Sequence, residues 1–142
     1  MLRDPVMLKR VAESRASAVR TSIITRGELL FMAYNSDQVE DNLALVRVFL
    51  AGISVHRIDR EVTENYGRIK AAALARFGPK ERAKRRHFSL QSLGFTDNDL
   101  WIAAIANRHG LIVVSDDSDF ARIAEVTNLR HVSWLTETTE ST

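Results

Sequence analysis

The chain has 142 residues, 45% hydrophobic and 27% charged, with six Gly, two Pro and no Cys. At that length folding removes roughly 68–70% of the unfolded chain's surface from water, enough for one core without covalent staples. The missing Cys excludes disulfide scaffolds and Cys-ligated zinc; no apolar run approaches the roughly 18 residues of a membrane span, and the opening MLRDPVMLKR has no apolar stretch for secretion. These features predict a cytoplasmic protein with one domain over residues 1–136 and a polar tail over 137–142.

Asp4 and Pro5 pair as a helix cap and first turn, and Val6, Leu8, Val11 and Ala12 extend a short amphipathic helix to about Ser14. The β-branched run Thr21–Thr25 predicts a buried strand, with a helix beginning near Glu28. Val39, Leu43, Val46 and Leu50 repeat at helical spacing up to Gly52. Residues Ile53 to Ile58 predict a strand. Val62, Tyr66, Ile69, Ala73 and Phe77 mark a helix that Gly78 and Pro79 stop. Residues 79–95 have no steady period and predict a loop or short helix inserted between elements. Thr96 opens a helix carrying Leu100, Trp101, Ala104 and Ile105 that ends at His109 and Gly110. Leu111–Ser115 predicts a strand, Phe120–Ala124 a short helix and His131–Leu135 a last strand. Strands alternating with helices give an α/β domain with a mostly parallel sheet.

Twenty Lys and Arg against 18 Asp and Glu leave a net charge of only +2, so the distribution is more telling than the sum. Arg76, Lys80, Arg82, Lys84, Arg85 and Arg86 form a basic stretch broken only by Glu81. Asp97, Asp99, Asp116, Asp117 and Asp119 form an acidic one. Such a pair suits an anionic substrate held near bound cations, and it also suits two solvated surface segments.

Several chemistries are absent. The six glycines are never closer than 11 residues, so neither a P-loop nor a dinucleotide-binding turn exists. No G-x-S-x-G marks a nucleophilic serine. His56, His87, His109 and His131 lie at least 22 apart, with no i, i+4 pair for zinc. A receiver-like phosphoacceptor needs a Lys at a strand end, and no predicted strand ends in one. Carboxylates remain: Glu28 after the first strand, Asp99 in the first turn of the helix after Thr96, and Asp116, Asp117 and Asp119 after the strand Leu111–Ser115. In a parallel sheet the carboxyl ends of strands share one edge, where ligands bind. Thr25–Glu28 matches a capping box and Thr96–Asp99 matches it with Asp in place of Glu, so either acid taken alone is explained as a helix cap. Their conjunction is not: like charges brought to one edge repel unless a cation lies among them. Oxygen donors of this kind suit Mg²⁺ or Mn²⁺, which activate water and stabilise charge on a phosphate, the chemistry of phosphodiester hydrolysis.

The segments SIITRGELLFMAY and DNDLWIAAIANRHGLIVVSDDSDF, with VHRIDREVTENYGRIKAAAL between them, resemble the signatures of PIN-domain ribonucleases, and within that family the VapC-type toxins of bacterial toxin–antitoxin pairs. The resemblance runs from about residue 4 to residue 135. It implies a three-layer α/β/α sandwich and an endoribonuclease that holds one or two Mg²⁺ or Mn²⁺ through Glu28, Asp99, Asp117 and Asp119, with Ser115 as the supporting hydroxyl. Asp97 and Asp116 are then flanking charges. It implies an antitoxin partner and a homodimer. Lys80, Arg82, Lys84, Arg85 and Arg86 fall where the family has a shorter connection, and would grip RNA phosphates or stand as a solvated loop. The family pattern begins with a strand ending in Asp about ten residues before its first helix; here three residues precede Asp4. Either the start is misplaced inside the true first helix, the explanation MLRDP favours, or the chain is a degenerate PIN-fold module that binds an antitoxin or RNA without cutting.

Overall fold

The computed structural model describes residues 19–133, and the helix expected from Pro5 and the tail lie outside them. The chain divides after Arg57 into two compact units. The N-terminal unit holds β1 (Arg20–Ser22), α1 (Ile23–Tyr34), α2 (Val39–Ala51) and β2 (Ser54–His56). β1 and β2 are parallel, with Thr21 opposite Val55, and Arg20 Nη1 donates to Ser54 Oγ at 2.7 Å across the pair. Leu29 and Ala33 of α1 and Leu43 of α2 are buried where the two helices pack.

The first strand is shorter than TSIIT, and α1 starts at Ile23 rather than near Glu28. The reason is a cap. Ser22 is extended, and its Oγ accepts the Thr25 N–H at 2.9 Å, so the chain turns into a helix before the two isoleucines can extend the strand. Ser22 therefore replaces Thr25 as the capping residue, and Glu28 stands in the second turn instead of closing a capping box.

The C-terminal unit holds α3 (Arg60–Phe77), α4 (Arg82–Arg85), a 3₁₀ turn (Leu90–Leu93), α5 (Asp97–His109), β3 (Ile112–Val114), α6 (Asp119–Ala124) and β4 (Arg130–Val132). β3 and β4 are parallel, with Val113 opposite His131. The central packing is α3 on α5: Val62, Ile69 and Ala73 meet a face containing Leu100, Ala103 and Ala104, all at most 2% exposed. Three of these are Ala, which lets the two helix backbones approach closely. Phe95, Phe120 and Ile123 are among the other buried residues of this unit, each at most 2% exposed. Both long helices have chemical stops. Asp59 caps α3 by accepting the Val62 N–H at 2.8 Å, and Gly110 ends α5 in the left-handed region at φ 62°. Among the described residues no helix is long and apolar enough to cross a membrane.

Candidate metal centre

The carboxylates of Asp99, Asp117 and Asp119 each offer an oxygen within 4.8 Å of the others. Three local devices bring them there. Thr96 is extended, and its Oγ1 accepts the Asp99 N–H at 3.1 Å, so Asp99 is fixed in the first turn of α5. Ser115, 2% exposed, directly follows β3; its N–H donates to Val132 O at 3.0 Å and its hydroxyl accepts the Asp117 N–H at 3.1 Å. Asp117 in turn accepts the Asp119 N–H at 2.9 Å, which places Asp119 at the start of α6. A strand end, an Asx turn and two helix starts thus converge, the arrangement expected of a ligand edge in a parallel α/β unit.

The electrostatics follow from the crowding. Burial and the neighbouring Asp117 carboxylate hold the Asp119 carboxyl above its ordinary range, against the pull of Arg122. The donor set contains oxygen only, which fits a hard cation. Oxygens about 2.1 Å from a shared octahedral Mg²⁺ lie at most about 4.2 Å apart. The observed bound of 4.8 Å is therefore within small side-chain rotations of a coordinating set.

The other predicted residues are placed as follows. Glu28 belongs to the N-terminal unit, half-buried in α1. Asp97 faces α3, where it accepts from Tyr66 Oη at 2.7 Å and Lys70 Nζ at 3.0 Å. Asp116 accepts from the Ser133 hydroxyl. Trp101 stacks on Tyr66 with ring centroids 3.7 Å apart. Lys80, Arg82, Lys84 and Arg86 are exposed and Arg85 is half-buried, with Lys84 paired to Glu81 at 3.3 Å. One neighbour of the site was not anticipated. Arg122 lies 3.5 Å from Asp119 Oδ1, on the same helix face three residues on; that i, i+3 spacing was the available signal.

A family model for the PIN domain matches residues 2–126. Ribonuclease VapC2 of Haemophilus influenzae strain Rd is 28% identical over 134 residues, spanning 94% of this chain and 88% of its own length. Ribonuclease VapC of Haemophilus influenzae strain 86-028NP matches to the same extent. Among solved structures, DNA-bound VapBC from Salmonella typhimurium has a TM-score of 0.70 at 23% identity, covering 93% of this chain and 86% of that one. VapBC-1 from nontypeable Haemophilus influenzae has a TM-score of 0.66 at 20% identity, covering 94% and 87%. These structures share the fold. With acids assembled at the strand ends of a parallel α/β unit and a family match over nearly its whole length, the chain belongs to the PIN domain family.

Proposed function

We propose that this chain is a VapC-type endoribonuclease, the toxin of a toxin–antitoxin pair, and that it hydrolyses RNA phosphodiester bonds with Mg²⁺ or Mn²⁺. The observation that carries the reading is the convergence of Asp99, Asp117 and Asp119 within 4.8 Å in a PIN-domain chain. Curated relatives spanning 94% of the chain are named ribonucleases, which supports the substrate class. Asp99, Asp117 and Asp119 would hold the cation; for Glu28 a metal role is supported by its sequence motif alone. Bound there, the cation would supply Lewis acidity, lowering the pKa of water and offsetting charge that builds on the phosphate. The protein's own contribution is preorganisation. Thr96 fixes Asp99, and Ser115 fixes Asp117, which fixes Asp119, so the carboxylates need little rearrangement when the reaction begins.

The exposed cations Lys80, Arg82, Lys84 and Arg86, with the half-buried Arg85, would bind RNA phosphates and position the strand without reading its sequence. An antitoxin partner is supported by the VapBC complexes that share the fold. Phe31 and Tyr34 of α1 and Leu45 and Val48 of α2, each at least 60% exposed, offer apolar area to such a partner or to a second copy in a homodimer.

The test is cleavage of RNA by the purified chain with Mn²⁺ or Mg²⁺, against EDTA, beside Asp99→Asn and Glu28→Gln. The parent cuts, EDTA stops it, and each substitution lowers cleavage by at least a hundredfold with unfolding unchanged. Cleavage that survives EDTA or both substitutions refutes the metal roles. A folded parent that does not cut, tested also with an upstream extension carrying a strand that ends in Asp, makes the chain a binding module.

A further inference from the structure

Arg122 is held by groups other than the acid it faces. Its Nη1 donates to Leu93 O at 2.6 Å, and its guanidinium carbon lies 4.1 Å from the Phe95 ring centroid and 4.9 Å from that of Phe77. Those rings are themselves in contact, centroids 5.5 Å apart and tilted by 41°. Gly94, at φ 89°, turns the chain directly beside them: a Cβ there would lie 3.7 Å from Arg122 Nη1 and 3.9 Å from Asp119 Oδ1. By contrast the gap from Arg122 Nη1 to Asp119 Oδ1 is 3.5 Å, long against the roughly 2.7–2.9 Å of a strong charge-assisted bond. The carbonyl and the rings therefore anchor the arginine, and the arginine presents its charge to the aspartate. Among the described residues it is the one cation paired with Asp119, whose other close charge is the like-signed Asp117.

From this geometry we propose that Arg122 is the positioning residue of the acidic site. It is a fixed internal cation that ties the Leu90–Phe95 segment to Asp119 and keeps that carboxylate aimed at the shared centre before any metal arrives. The inference rests on the metal-dependent reading above and goes beyond it, because a positive charge beside a cation site would by Coulomb's law alone weaken metal binding. Positioning and repulsion thus predict opposite signs. Arg also has a specific advantage over Lys here: its planar group lies on Phe95 while bonding the Leu93 carbonyl, which an ammonium does not reproduce.

The deciding experiment is Mn²⁺ titration of the full chain, read by electron paramagnetic resonance of free Mn²⁺. The variants are Arg122→Gln, Arg122→Lys and, as a charge control, Arg76→Gln, which removes an exposed cation paired with Glu125 at 3.6 Å. Arg122→Gln is expected to bind Mn²⁺ about tenfold or more weakly, the usual scale for losing a group that orients a ligand. Arg122→Lys recovers only part of that loss, and Arg76→Gln binds as the parent does. In cleavage at saturating Mn²⁺, kcat falls for Arg122→Gln while the KM for RNA holds. Mn²⁺ binding by Arg122→Gln equal to or tighter than the parent's overturns the proposal. If Arg122→Gln fails to fold, full parental affinity in Arg122→Lys overturns it instead. A folded parent that binds no Mn²⁺ refutes the metal reading and this inference together, a result distinct from a parent that binds beside an unaffected variant.

Discussion

At the scale of single residues, the site depends on side chains that never need to touch a metal. Thr96 is exposed, yet its hydroxyl takes the Asp99 N–H at 3.1 Å and so decides where α5 begins. Thr96→Ala is expected to cost about 1 kcal/mol of stability, as for other lost N-caps, and to weaken Mn²⁺ binding several-fold because Asp99 loses its anchored turn. Thr96→Ser should restore both. Thermal unfolding in EDTA with parallel Mn²⁺ titration checks this, and an alanine variant as stable as the parent would show the cap to be incidental. The grouping of Asp99, Asp117 and Asp119 was legible in the sequence because each follows a strand end or opens a helix, and those positions share one edge. For Arg122 the i, i+3 spacing to Asp119 was the one local signal; its anchoring was not legible, since Leu93, Phe95 and Phe77 lie 27 or more residues before it and meet it only in the folded unit.

Between elements, one polar bridge supplements the apolar seam of α3 and α5. Lys70 Nζ donates to Tyr66 Oη at 2.9 Å and to Asp97 Oδ1 at 3.0 Å, while Tyr66 lies flat on Trp101. The hydrogen bond from Tyr66, then that from Lys70, holds the Asp97 carboxyl below its ordinary 3.8. The bonds to Tyr66 and Asp97 hold the Lys70 ammonium above its ordinary 10.5. The signs fix a pH window. Asp97 contributes stability that is present above its unfolded value and lost as pH falls through its lower folded one. Lys70 contributes stability that is full below its unfolded value and lost as pH rises through its higher folded one. Both groups are about half exposed, so the bridge contributes roughly 0.2–1 kcal/mol. In EDTA, Asp97→Asn should be less stable than the parent by that amount across neutral pH, the gap closing at strongly acid and narrowing at strongly alkaline pH. A gap that persists unchanged at the strongly acid end, where the Asp97 carboxyl is protonated in the folded chain as well, would assign the effect to something other than the carboxylate charge. The long elements were readable in advance because period and stops agree: α2 ends before Gly52, α3 at Phe77 before Gly78, and α5 before Gly110. The strand TSIIT misled because β-branched residues favour extension while Ser22 as a cap favours a turn, and the cap prevailed over local propensity.

For the molecule as a whole, a net charge of +2 would give no strong attraction to a polyanion if it were spread evenly. It is not spread evenly. α4 and its flanks carry Lys80, Arg82, Arg85 and Arg86, which have no acidic partner among the described residues, whereas Lys84 is partly neutralised by Glu81. If this segment binds phosphates, each contact releases counterions, and the logarithm of RNA affinity falls with the logarithm of salt at roughly 0.7 per contact on a single strand. Replacing Lys80, Arg82, Arg85 and Arg86 together with Gln should therefore reduce the salt slope by about 3 and weaken binding to unrelated RNA sequences alike. The measurement is fluorescence anisotropy of a labelled single-stranded RNA in EDTA, where cleavage is suppressed, from low to moderate salt. Asp99→Asn serves as the control: it removes a negative charge at the acidic centre and should leave the slope as it is. A fourfold Gln variant with the parental slope would assign the segment to solvent, and a parent whose affinity ignores salt would remove phosphate contacts from the binding mode altogether.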